Sequence, residues 1–413
     1  MKSSRKKQII YASIIVIAAI AVAVLFALYY RQLTGNILMD HYWHLNFATV
    51  AWETVTGSLE TTFQAVTYPL YHLSAQLVAK ITGMSIYGAG AVVLGLCNAM
   101  AFVTIVAICF RVCGKVTTAK KIVIPIFAAT SLVFVVACSP LTDYRLYARQ
   151  GAANPVHNPT LLMARPFGLL AFLCFCLAIQ NFEKQKNYIK EMVMFSALMM
   201  LSILGKPSFA FVLIPAMGIE TLIVMIKNRR ISFGIAALIA VLPPLALILF
   251  QYIRMNSLYA DLNNISYLSA SLSAIAVDTS ETIGNGIVKF GIHVGGFSDF
   301  TWPEIFKVSL ATFPVPIILF SWKHLKKNSF YRVAMLTLLF GWLEMFFLSN
   351  GPTGDFSWGY DMAVQLATAV SLGISLKYKQ KLRMGITYAV YAYQVLCGFY
   401  FMWSVIDVNY FWI

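Results

Sequence analysis

The chain has 413 residues, 60% of them hydrophobic and only 11% charged, with a mean hydropathy of +0.74. A soluble domain carries roughly 25% charged residues, so this deficit excludes an ordinary soluble domain and places the chain among all-α polytopic membrane proteins. Lys and Arg number 31 against 16 Asp and Glu, a formal charge of +15. In a membrane chain such an excess is what positive-inside loops produce, and it does not imply nucleic acid as a partner.

The N-terminus is basic from Met1 to Lys7, and an apolar run follows from Ile9 to Tyr30. That run is longer than the core of a signal peptide, and Arg31-Gln32-Leu33 is no small-residue cleavage site. It is therefore expected to be a retained first span. Further runs of spanning length lie near 86–110, 122–139, 160–181, 191–205, 207–226, 231–251, 306–322, 332–348, 361–376 and 385–406. With the first they give about eleven spans in a single transmembrane domain over 1–413. The pair 191–205 and 207–226 is separated only by Gly205-Lys206-Pro207-Ser208.

With the N-terminus placed inside, the inner segments hold 22 of the 31 Lys and Arg, and most acids fall outside. This bias predicts a cytoplasmic N-terminus in a multi-pass protein of the cell membrane, with function on the extracytoplasmic face. The seven cysteines lie mostly inside apolar runs, and none forms a metal spacing or a disulfide framework.

The first outer loop, 31–85, opens on Asn36-Ile37-Leu38-Met39-Asp40-His41-Tyr42-Trp43-His44-Leu45. Apolar residues at helical spacing from Asp40 to Glu53, and again from Pro69 to Ile81, predict two helices lying along the membrane surface. Asp40 is a candidate general base or a plain N-cap. His41 and His44 flank it, with Asp40 and His44 one turn apart on one helical face. Two such ligands are too few for a metal site, and no HExxH pattern occurs. No cofactor is indicated, although a divalent metal stays open.

The second outer segment brings Arg145, Arg149 and His157, and the next span carries Arg165-Pro166 about five residues inside its apolar run. Lys206-Pro207 repeats that theme. Intramembrane cations are usually paired or functional, and an Arg fork suits phosphate oxygens. Snorkelling to headgroups is the plain alternative, and the better one for Arg254. A long outer segment, 252–305, is mixed in charge. In the last outer loop Asp355 and Asp361 are placed to bind sugar hydroxyls and Trp358 to stack on a sugar ring, or to serve as turn residues and an aromatic belt. Glu344 is a candidate partner for Arg165 or Lys206.

Met39-Asp40-His41-Tyr42-Trp43-His44-Leu45 resembles the acid-bearing first-loop signature of the GT-C superfamily, the integral-membrane glycosyltransferases that use polyprenyl-phosphate sugars. Tyr68-Pro69-Leu70-Tyr71-His72 is a looser match. His157-Asn158-Pro159-Thr160 with Arg165-Pro166-Phe167, and Asp355-Phe356-Ser357-Trp358-Gly359-Tyr360, are similar to stretches of uncharacterised bacterial members. The resemblance implies a GT-C-like fold with Asp40 as the catalytic acid or base. It also implies a lipid-linked sugar donor and a glycan, lipid or protein acceptor, with inversion at the sugar. His41 stands where many members carry a second acid, which leaves metal dependence open. The rivals are a secondary transporter, for which no internal repeat is visible, and a lipid-linked glycan polymerase or ligase, whose acid is expected in a late outer loop.

Overall fold

The structure, a computed structural model, describes residues 2–35, 39–55, 66–114, 117–133, 158–264, 289–290, 314–320, 322–349, 358–377 and 379–406. Arg145, Arg149, His157 and Asp355 lie outside the described residues, as do Asp143 and most of 252–305. The described chain is helical. Its helices are α1 (Lys2–Thr34), α2 (Asp40–Val55), α3 (Pro69–Thr82), α4 (Ile86–Cys113), α5 (Thr118–Thr130), α6 (Pro159–Glu183), α7 (Ile189–Gly205), α8 (Ser208–Asn228) and α9 (Ser232–Asn264). After these come α10 (Pro314–Leu319), α11 (Trp322–Lys327), α12 (Ser329–Phe347), α13 (Trp358–Ser375) and α14 (Lys381–Ile406). One two-residue pairing, Lys289–Phe290 antiparallel to Leu348–Ser349, is the only strand contact among the described residues.

Most apolar runs read from the sequence overlap these helices, and both amphipathic stretches of the first loop are helical. Three expectations need adjustment. The helix of the run at 122–139 ends at Thr130, and residues 134–139 lie outside the described residues. The helix beginning at Ser232 continues past residue 251 to Asn264, absorbing Pro243 and Pro244. The run at 306–322 is described only from Pro314, as a short helix followed at once by α11. Among the described residues, five helices are long and apolar enough to cross a membrane: Ile9–Thr34, Ile86–Cys113, Pro159–Glu183, Ser208–Asn228 and Ser232–Arg254. This is the make-up of a helical membrane protein.

Local chemistry sets the helix ends. Ser85 caps α4 through the Gly88 amide, and Asn158 caps α6 through the Leu161 amide at 3.0 Å. Gly83 closes α3 in the left-handed region at φ 71°. Between α7 and α8, Lys206 is extended and Pro207 cannot continue the ladder, so the chain reverses there. The reversal is genuine: Lys227 at the far end of α8 pairs with Glu183 at the far end of α6 at 2.7 Å.

The centre of the bundle is α13, whose residues from Gly359 to Ser375 are all buried, together with α4 and α6. Helices approach closely where residues are small. A Cβ on Gly95 of α4 would meet the Ala27 side chain and backbone of α1. The outer helices turn apolar side chains outward: Ile17, Leu25 and Leu28 on α1, and Leu238, Ile239 and Leu249 on α9, are each more than half exposed. Such a surface suits lipid rather than water.

The helix ends sort into two groups. At one end Tyr11 donates to the Lys121 carbonyl, Lys120 to the Leu376 carbonyl and Arg383 to the Ile318 and Phe320 carbonyls, beside the Glu183–Lys227 and Glu220–Arg332 pairs. At the other, Tyr29 donates to the Met402 carbonyl, and Gln251 donates to the carbonyls of Thr67 and Ile203. Basic turns thus gather at the first end. Asp40, Arg165 and Lys206 belong to the second.

Candidate functional site

At the second end, the fully buried Tyr30 lies in the last two turns of α1, and α2 starts five residues after Gly35 with Asp40 in its first turn. An acid there lies in the positive field of the helix terminus. Asp40 is half-buried. His41 is 1% exposed and stacks on Tyr30, with ring centroids 5.5 Å apart. The Tyr30 hydroxyl accepts from Asn98 Nδ2 at 3.3 Å, and the same amide group donates to the Leu94 carbonyl at 2.8 Å. These donations fix the Asn98 amide with Oδ1 facing Arg165, which donates to it from Nη2.

Arg165 itself is 2% exposed. Among the described residues, its Nε and Nη1 have no hydrogen-bond partner. A guanidinium has five N–H donors and cannot shed its charge, so a buried one held by a single neutral amide is an electrostatic deficit. Nearby apolar atoms deepen that deficit: Cys97 Sγ contacts Met163 Sδ on the same pair of helices.

His44, one turn beyond Asp40, meets His72 of α3, with Nδ1 and Nε2 3.1 Å apart, and His72 Nδ1 lies 3.0 Å from the Tyr68 carbonyl. A carbonyl only accepts. His72 must therefore carry its proton on Nδ1 and present a bare Nε2, and His44 Nδ1 must be the donor between the two rings. The chain of bonds runs in one direction, from His44 through His72 to the Tyr68 backbone. Burial pushes His72 down to about 4, so it stays neutral at physiological pH.

Lys206 stands beside this group. A Cβ on Gly205 would sit 2.8 Å from the Ala164 amide, and Ser202 Oγ donates to the Ala164 carbonyl at 3.1 Å. Two consecutive residues on each chain, Ala164-Arg165 and Gly205-Lys206, are thus held together, which explains why position 205 tolerates no side chain. Lys206 is 7% exposed, and its Nζ lies 4.9 Å from the centre of the Trp358 ring. Behind Trp358, a side chain on Gly359 would collide with Glu344 and the Ser208 carbonyl. Glu344 and Asp361 are both buried near each other at this end of the bundle. Among the described residues, Glu344 Oε2 has no hydrogen-bond partner.

Of the residues expected from sequence, the structure gathers His41, His44, Arg165, Lys206 and Trp358 at one end of the bundle, with Asp40 opening the same helix as the two histidines. Arg254 lies over Phe250 on its own helix, at 5.6 Å, as a snorkelling side chain does. Tyr30, Asn98 and Gln251 were not singled out beforehand. Asn98 carried a readable signal, a lone amide inside the apolar run 86–110, whereas Tyr30 looked like any interfacial aromatic. Among the described residues, no three His, Cys, Asp or Glu side chains gather as a metal site. Compared with protein-family models and with curated proteins, the chain matches none.

Proposed function

We propose that the chain is a multi-pass glycosyltransferase of the GT-C type, with about eleven spans and its N-terminus in the cytoplasm. It moves a sugar from a polyprenyl-phosphate donor to an extracytoplasmic glycan, lipid or protein acceptor. One observation carries the reading. Among the described residues, a buried guanidinium, Arg165, has only the neutral Asn98 as hydrogen-bond partner, and through Asn98, Tyr30 and His41 it is connected to the turn that bears Asp40. An anion that brings its own charge, such as a lipid phosphate, completes that arrangement.

In this mechanism the donor phosphate lies against Arg165 and Lys206. Asp40 takes the proton of the acceptor hydroxyl, and the new C–O bond forms at the anomeric carbon. The bond to the phosphate breaks on the opposite face, inverting the centre. The charge that grows on the departing phosphate falls on the two cations, in a water-poor setting where such stabilisation is large. His44 is held in one tautomer by His72, which orients the face of α2 that it shares with Asp40.

The test is transfer of radiolabelled sugar from polyprenyl-phosphate donors in membranes containing the wild type, Asp40→Asn and Asp40→Glu. Transfer is expected to vanish in the first variant and to survive partly in the second, with an inverted anomeric product. Full transfer by Asp40→Asn removes Asp40 from the mechanism.

The Glu344–Asp361 pair beside Lys206 and Trp358 favours a second reading, a lipid-linked glycan polymerase or ligase whose acid comes late in the chain. That reading requires Asp361→Asn, and not Asp40→Asn, to abolish activity.

A further inference from the structure

At the opposite end of the bundle, among the basic turns, a crevice of about 780 Å³ opens between α8, α11 and α12. Its volume falls within the roughly 300–1,000 Å³ of small-molecule sites. Its walls are apolar: Ile223 and Ile226 from α8, Met335 and Leu339 from α12, and Phe320 just before α11. Ile226, Phe320 and Leu339 are also about half exposed or more, so the crevice faces sideways out of the bundle. Among the described residues, three cations line it and no acid does: Lys227, Lys326 and Arg332.

The cations differ in their duties. Arg332 is spent inside the protein. Its Nε and Nη2 reach both oxygens of the buried Glu220, and its Nη1 donates to the Leu325 carbonyl at 2.5 Å. These bonds pin α12 to α8 and to α11, so the three walls hold a fixed spacing. Lys227 is exposed and gives one bond to Glu183 Oε1 at 2.7 Å. An ammonium has three protons, so that bond leaves capacity for an incoming oxygen anion. Lys326 is exposed on the facing wall, and Lys323, Lys327, Arg229 and Arg230 lie in the same two turns. Among the described residues, the acids beside this rim are Glu183, on Lys227, and Glu220, taken up by Arg332.

We propose that this crevice seats one anionic glycerophospholipid, with an acyl chain along Ile223, Ile226, Met335 and Leu339 and its phosphate between Lys227 and Lys326. Charge complementarity selects the occupant. An apolar slot open to the side takes a lipid tail, and a rim whose described residues carry more cations than acids prefers a headgroup with net negative charge over a zwitterion. The proposal stands apart from the transfer reading, which uses the other end of the molecule.

The test is native mass spectrometry of the purified, delipidated full chain in neutral detergent. It is offered equimolar dioleoyl phosphatidylglycerol and dioleoyl phosphatidylcholine. Each lysine near a phosphate is worth roughly 5-fold in binding, so one phosphatidylglycerol adduct is expected with a preference of about 30-fold. Lys227→Gln with Lys326→Gln should bring the preference close to one. Leu339→Trp, which fills the slot, should remove the adduct of either lipid, with circular dichroism and gel filtration showing the fold intact. Equal binding of the two lipids by the wild type overturns the proposal. So does a preference that survives the double lysine change, an adduct that survives Leu339→Trp, or a tighter adduct with a polyprenyl monophosphate.

Discussion

Two arginines, one at each end of the bundle, are built into the chain in opposite ways: Arg332 is half-buried and Arg165 fully buried. Arg332 is matched bidentately by Glu220 and finished by the Leu325 carbonyl. Arg165 is more deeply buried and receives only the Asn98 amide oxygen, with Nε and Nη1 left over. The first arrangement is closed: both charges are cancelled within the protein, and nothing further is needed. The second is open: among the described residues no acid answers its positive charge. On the proposed function, that charge is met by the donor phosphate. The difference extends to the neighbours. The Arg332 end holds two ion pairs, Glu220–Arg332 and Glu183–Lys227, whereas the bonds around Arg165 are neutral, directional ones among Tyr30, Asn98, His44, His72 and backbone carbonyls.

The largest effect should come from breaking the closed pair. Arg332→Met strands the Glu220 carboxylate in the interior, at a cost of about 3–5 kcal/mol. The thermal unfolding midpoint of the purified protein should fall sharply. Arg332→Met combined with Glu220→Met should recover most of the loss, because the partnerless charge is gone. A double variant as unstable as the single one would mean that the pair does more than cancel charge.

The same change at the open site should behave differently. Arg165→Met removes an uncompensated buried charge but leaves Asn98 Oδ1 without its donor. These opposed terms should keep stability within about 1 kcal/mol of wild type. Transfer, by contrast, should drop about 10²- to 10³-fold, the usual cost of removing one donor aimed at developing charge. Arg165→Lys keeps the charge without the fork and should fall between the two. If Arg165→Met is as unstable as Arg332→Met and fully active, the contrast between the ends has no functional meaning.

Much of this layout could be read in the chain beforehand, and the reasons are physical. Spanning helices declare themselves through long apolar runs, and the two helices after Asp40 through their 3.6-residue spacing. Arg165 and Lys206 stood out because a cation beside proline inside an apolar run is costly. What stayed hidden was the pairing. Nothing local to Arg332 or Glu220 says that they meet, since 112 positions separate them. Asn98 and Arg165 lie 67 positions apart and meet only because α4 and α6 pack side by side. His72 was visible as part of Tyr68-Pro69-Leu70-Tyr71-His72, but its service to His44 depends on how α2 and α3 cross. Arg145, Arg149, His157 and Asp355 lie outside the described residues, so their share in the site rests on the sequence reading alone.

A smaller effect tests whether the open end truly depends on neutral groups. His72 has an ordinary value near 6.5 when unfolded and about 4 in the folded chain, lowered by burial and opposed only by its bond to Tyr68. Above pH 6.5 the ring is neutral in both states, and pH has no purchase on it. Between pH 6.5 and 4 the unfolded chain takes up a proton that the folded chain refuses, so stability falls as the pH falls. By linkage the loss reaches about 2 kcal/mol at pH 5 and about 3 kcal/mol at pH 4, where it levels off. His72→Asn can still donate to the Tyr68 carbonyl and has no charge to gain. Its unfolding midpoint should therefore drop less than that of the wild type between pH 7.5 and pH 5. Other groups that titrate in this window are common to both proteins, so the difference between the two drops isolates His72. Equal drops would mean that His72 already accepts a proton in the folded state. The one-way chain of bonds from His44 to Tyr68 would then run differently below neutral pH.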